Sequence, residues 1–178
     1  MLQPNKILVI RFSSLGDLIL TSPIFRELRR IFPGANLNLL TSVGFGDVLD
    51  NNPHLDRIIK HPRKENFEQL NQLIEELQAE EFDLIYDAHR SMRSRWIVSR
   101  LTAFGMKRQP AVWKINKRTL NRKLLIHLGW NRLQQGLSQR EQWLLPLKQH
   151  APHGLDASTE LFPDQEDTNL IETLMSEH

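Results

Sequence analysis

The chain has 178 residues, 40% hydrophobic and 25% charged, enough for one soluble α/β domain and too short for two. It contains no cysteine, which excludes a disulfide framework and any thiolate metal site. Net charge is only +2, and the apolar run that opens the chain is closed by Arg11, too early for a secretory signal or a membrane span. A cytoplasmic protein, soluble or peripheral on the inner face of a membrane, is the expectation.

Lys6 to Phe12 is a continuous apolar, β-branched run, the mark of a strand buried on both faces of a parallel sheet. A short polar loop containing Gly16 follows, and Asp17 to Phe32 reads as one helix stopped by Pro33-Gly34. Its Leu18, Leu20, Ile24, Leu28 and Ile31 form the apolar stripe, with Arg26, Arg29 and Arg30 on the other side. Asn36 to Thr41 is a second strand, Gly44 to Asn52 a short helix, and Asp56 to His61 a third strand. Phe67 to Glu80 is a helix, Phe82 to Asp87 a fourth strand, and Arg93 to Phe104 a helix with Trp96, Ile97 and Leu101 inward, stopped by Gly105. Ala111 to Ile115 suits a fifth strand, Asn121 to Leu128 and Gln139 to Leu147 suit helices, and Ala151 to Ser158 reads as loop. Strand and helix alternate with short connections, which predicts an α/β, doubly wound parallel sheet with right-handed crossovers.

Charge is distributed unevenly. From Ala88 to Arg140 there is no Asp or Glu, while thirteen of the chain's 23 cationic side chains fall there. A face built from this stretch would attract phosphates, nucleic acid or an anionic membrane; the plainer reading is a solvated surface. Trp96, Trp113, Trp130 and Trp143 read most simply as packing residues.

In open α/β sheets ligands bind beyond the carboxyl ends of the strands, so the loop after Phe12 is where chemistry is expected. With one glycine and no Gly-Lys-Ser/Thr, it is neither a dinucleotide fingerprint nor a P-loop. It offers the Ser13 and Ser14 hydroxyls, a Gly16 suited to positive φ or close approach, backbone amides for an anion, and Asp17 at a helix start. Asp17 has two readings. It caps the helix and meets its dipole, or it is a general base, kept charged by that dipole and able to accept a proton.

The segment Ile7 to Pro23, with its core Ser13-Ser14-Leu15-Gly16-Asp17, resembles the opening of glycosyltransferase family 9, the ADP-heptose:lipopolysaccharide heptosyltransferases. Phe32-Pro33-Gly34-Ala35, Asn52-Pro53-His54-Leu55-Asp56 and Phe82 to Asp87 resemble later family features in the same order. Where many members carry Asp-x-Gln-Gly, this chain has Asp87-Ala88-His89-Arg90. The likeness is good over residues 5 to 110 and looser beyond.

The resemblance implies a Rossmann-like acceptor domain over residues 1–160, the N-terminal domain of a GT-B enzyme, with 161–178 starting the linker to a donor-binding domain. The implied reaction is inverting, metal-independent transfer of heptose from ADP-heptose to the inner core of lipopolysaccharide. No cofactor is implied, and ADP-heptose would be held mainly by the other domain. Asp17 would be the general base, with Ser13, Ser14 and Gly16 shaping the pocket. Arg93, His89, Arg63 and Lys64 would bind the phosphorylated lipid A and inner-core acceptor, with peripheral contact to the inner membrane and no nucleic acid partner. The chain by itself is expected to be inactive, lacking a second glycine-rich turn. The alternative is a non-catalytic Rossmann-like module that binds anionic glycolipid or phosphate through residues 88–140.

Overall fold

The computed structural model describes residues 3–64, 66–103, 109–115, 136–164 and 167–169. The strands β1 (Lys6–Ile10), β2 (Asn36–Ser42), β3 (Arg57–His61), β4 (Leu84–Asp87) and β5 (Ala111–Lys114) form one five-stranded sheet in the order β3-β2-β1-β4-β5. Every pairing is parallel, with Ile10 opposite Leu40 on one side and Asp87 on the other. The order reverses between β1 and β4, and that reversal opens a crevice at their carboxyl ends.

Alternation along β1 sorts the core into two layers. Ile7 and Val9, with Leu37, Leu39, Leu84 and Tyr86, pack against α1 (Leu15–Ile19), α2 (Ser22–Ile31) and α5 (Gln139–Leu144) through Leu18, Ile24, Phe25, Leu28, Trp143 and Leu144. Leu8 and Ile10, with Leu40 and Ile85, pack against α3 (Phe67–Ala79) and α4 (Met92–Leu101) through Leu73, Ile74, Leu77, Ile97 and Leu101. The doubly wound sheet expected from the sequence is the one observed. Among the described residues no helix is long and apolar enough to cross a membrane.

Several local expectations need correction. The helix read as Asp17 to Phe32 is two helices, broken at Leu20-Thr21. Pro23 has no N–H to give the Ile19 carbonyl, so a continuous helix would lose a bond and clash there; at the second position of α2 it costs nothing. Thr21 closes the break, its amide and hydroxyl both donating to the Leu18 carbonyl. The short helix after β2 is a 3₁₀ turn (Gly46–Leu49), and a second 3₁₀ segment (Leu145–His150) replaces the end of the helix expected to reach Leu147.

Trp96, expected inward, is 43% exposed, because the buried side of α4 is set by Ser94, Ile97, Val98 and Leu101. Arg26, expected on an outward face, is covered by the segment at 155–160, donating to Glu160 Oε2 at 2.9 Å and to the Asp156 carbonyl at 2.8 Å. The loop expected over Ala151 to Ser158 is observed. The helix at 121–128, the stop at Gly105 and Trp130 lie outside the described residues.

Candidate active site

The crevice beyond β1 and β4 is built first by Arg11. It continues the alternation of Ile7 and Val9, so its side chain drops to the α2 side of the sheet, where it is 4% exposed. Its amide extends the β1–β2 ladder by donating to the Leu40 carbonyl at 2.9 Å. The guanidinium donates to the Ala88 carbonyl at 2.5 Å, bridging the ends of β1 and β4, and lies 4.6 Å from the Trp143 ring centre. Burial pulls its pKa below the ordinary value and Asp17, then Asp87, pull it back up; it remains a cation. Tyr86 fixes the Trp143 backbone by donating to its carbonyl, and burial pushes the Tyr86 phenol well above its usual range.

Asp17 meets Arg11 from above, Oδ2 lying 2.5 Å from Nη2, while its own side chain stays 35% exposed. The five-residue α1 carries it there, starting from Ser14, whose carbonyl accepts the Leu18 amide at 2.8 Å. Ser14 makes no side-chain cap, so Asp17 is the acidic group of that turn. Gly16 shows neither the positive φ nor the close approach that was expected: it lies inside α1, and an added Cβ would meet nothing within 4 Å. Its surroundings, and those of exposed Ser14, are open. Ser13 is half-buried between this turn and the sheet.

Phe12 takes the opposite alternation and faces α3 and α4. Its ring is met edge-on by His89 at 5.8 Å and covered by the Arg93 guanidinium at 3.9 Å. Arg93 also donates to the Pro62 carbonyl at 3.0 Å, which brings the exposed Arg63 and Lys64 beside the same rim. His89 is positioned by Asp87, whose Oδ1 accepts the amides of His89 at 3.0 Å and Arg90 at 2.7 Å, while Oδ2 accepts the Ser94 hydroxyl at 3.2 Å. The fold therefore gathers all eight sequence candidates at one end of the sheet in two groups. Asp17, with Ser14 and Gly16, lies on the α2 side over Arg11; His89, Arg93, Arg63 and Lys64 lie on the α4 side around Phe12. Ser13 joins them.

Arg11, Asp87 and Trp143 were missed. Arg11 left a signal, being a cation on the buried register of an otherwise apolar strand. Arg90 stands where the family pattern has glycine, and its φ of 51° is in the left-handed region glycine favours. Of the basic stretch, Lys107, Arg108, Lys117, Arg118, Arg122, Lys123 and Arg132 lie outside the described residues. Among the described residues no group of three His, Asp or Glu side chains is arranged to hold a metal ion. A cavity of about 420 Å³ lies at the amino end of the sheet, lined by Gln3, Arg30, Phe32 and His150, away from the crevice.

Sheet order, switch-point crevice and helix layers define a Rossmann-like domain of the kind that forms the N-terminal domain of family 9 GT-B glycosyltransferases. The resemblance read in the sequence holds at the level of relatives. The chain is 25% identical over 166 residues to lipopolysaccharide heptosyltransferase 1 of Pseudomonas aeruginosa, covering 85% of this chain and 46% of that protein. It is 28% identical over 111 residues to lipopolysaccharide heptosyltransferase 1 of Escherichia coli K12, covering 57% of this chain and 34% of that protein. Its fold matches the crystal structure of a family 9 glycosyltransferase from Veillonella parvula with a TM-score of 0.71 at 19% identity, covering 100% of this chain and 51% of that one. The chain thus spans no more than about half the length of these proteins. No protein-family model matches it.

Proposed function

We infer that this chain is the acceptor-side domain of a lipopolysaccharide heptosyltransferase, with Asp17 as the general base. The observation that carries the reading is a carboxylate, open to solvent at the switch point, whose one oxygen is held by a buried guanidinium. Arg11 fixes where Asp17 points and balances its charge, leaving Oδ1 to accept the proton of an incoming sugar hydroxyl. The hydroxyl oxygen then attacks the anomeric carbon of ADP-heptose, the bond to the diphosphate breaks, and ADP leaves with that electron pair as the configuration inverts. The cations on the α4 side, Arg93, Arg63 and Lys64, would take the acceptor's phosphates. ADP-heptose would be held mainly by a partner domain across the cleft, so the 178-residue polypeptide on its own binds acceptor and does not turn over donor.

The test joins this chain to the second half of the P. aeruginosa enzyme and measures ADP release with heptose-deficient lipopolysaccharide as acceptor. Release that requires the acceptor supports the reading. Full activity from the 178 residues alone would overturn the division of labour.

A further inference from the structure

The cavity of about 420 Å³ at the amino end of the sheet takes no part in the chemistry assigned to Asp17. Small-molecule sites span roughly 300–1,000 Å³, so its size is that of a ligand pocket. One wall is aromatic. The 3₁₀ segment at Leu145–His150 is pinned by buried Leu147, and His150, three residues on, falls on the same face. There its ring stacks on Trp113, with centres 4.6 Å apart and planes 20° from parallel. Phe32, which follows the last turn of α2, sets its ring 6.4 Å from His150 and 6.1 Å from Trp113. The other wall is charged. Arg30, Lys148 and His153, all exposed, line the cavity with one carboxylate, Glu27. Glu27 is buried, and its Oε1 already accepts from Arg30 at 2.9 Å and Arg26 at 3.5 Å. Lys148 makes no ion pair among the described residues.

We propose that this cavity binds a small organic anion with a flat ring system, its rings against Phe32 and His150 and its oxyanion towards Lys148. Charge selects the sign of the ligand. A cation would meet Lys148 and Arg30 while the carboxylate able to balance it is already engaged. The aromatic wall selects the body, since an inorganic oxyanion would gain nothing from Phe32 and would leave that wall wet. The site lies at the opposite end of the sheet from the crevice, and the inference stands apart from heptosyl transfer.

The test is titration of the 178-residue chain with naphthalenesulfonate, followed by NMR at the His150 imidazole and the Trp113 indole. Saturable shifts at both rings are expected, with a dissociation constant of about 1 mM or tighter. Naphthylmethylammonium, with the same rings and the opposite charge, should bind at least about tenfold more weakly. Sulfate alone should leave both signals in place. Lys148→Glu, at a side chain exposed enough to leave the core untouched, should weaken the sulfonate about fivefold or more. His150→Leu should weaken it about as much, through loss of the ring. Arg95→Glu, near the start of α4, should change it by less than about twofold. Absence of saturable shifts, equal affinity for the two charges, or unchanged binding by Lys148→Glu would overturn the proposal. So would sulfate that shifts both rings as the sulfonate does, or shifts confined to the loop at 13–17.

Discussion

Arg11 and Asp17 meet at 2.5 Å, one nearly buried and the other one-third exposed, because β1 ends one residue before Arg11 and α1 carries Asp17 back over it. Strand alternation places the guanidinium under the crevice, and the short helix brings the carboxylate to its mouth. The pair is asymmetric in solvent, so its two members do different work. Arg11 is a fixed support with two further contacts, the Ala88 carbonyl and the Trp143 ring. Asp17 is the member open to solvent.

Replacing the support should be felt throughout the domain. Arg11→Met keeps the apolar stem but leaves the Ala88 carbonyl without its donor and Asp17 without its partner. Asp17 can rehydrate, so the cost should be about 1–3 kcal/mol, less than the loss for a fully buried pair. Calorimetry should show a lower Tm; an unchanged Tm would mean the pair contributes nothing to folding.

Asp87 holds the turn after β4 through three accepted hydrogen bonds while 2% exposed. Asp87→Ala should destabilise by about 2–4 kcal/mol, since two amides and a hydroxyl lose their acceptor. Asp87→Asn keeps an acceptor for both amides and should cost roughly half as much. Urea unfolding that ranks the two in the opposite order would contradict this account of the turn.

Arg90 occupies a left-handed conformation and donates to the Ile115 carbonyl at 3.1 Å. Arg90→Gly should be close to neutral, a relief of about 1 kcal/mol offsetting the lost hydrogen bond. Arg90→Val should cost about 1–3 kcal/mol, since a β-branched side chain crowds that backbone. Equal stability of the two variants would count against the strain.

Acid should weaken the domain through carboxylates at the amino end of the sheet. Burial alone would raise Asp56, but the Leu37 amide and Arg29 overcome it and hold its pKa below the usual range. For Glu80, the Lys6 hydrogen bond is the largest cause of a similar depression, joined by Arg57. A depressed carboxylate contributes stability above its unfolded pKa, about 4, and loses it as pH falls through the folded value. Stability should therefore drop below about pH 4, and less steeply in Asp56→Asn, Glu80→Gln. Parallel curves for the double variant and the parent would contradict the assignment.

Much of the fold was legible because β1 and β4 are buried on both faces and leave near-continuous apolar runs. The break at Thr21 was legible too, in Pro23, but the apolar stripe continues across it and hides it. Trp96 misled because aromatic character says nothing about which side of a helix the core occupies. At the site, Asp17 stood out from local sequence and from the family likeness. Its partner did not, since Arg11 reads as the end of a strand until register shows which face it joins. Asp87 likewise acquires its role only once the chain turns to offer it three donors.

The measurement that bears most directly on the central claim is ADP release by the two-domain chimaera with Asp17→Asn. Asn fills the same space and keeps an oxygen for Arg11, so folding should survive while the proton acceptor is lost. The expected result is a rate lower by about 10²–10⁴-fold with little change in acceptor binding. A rate within a few-fold of the parent would show that Asp17 only supports the first turn of α1, and that the base lies elsewhere.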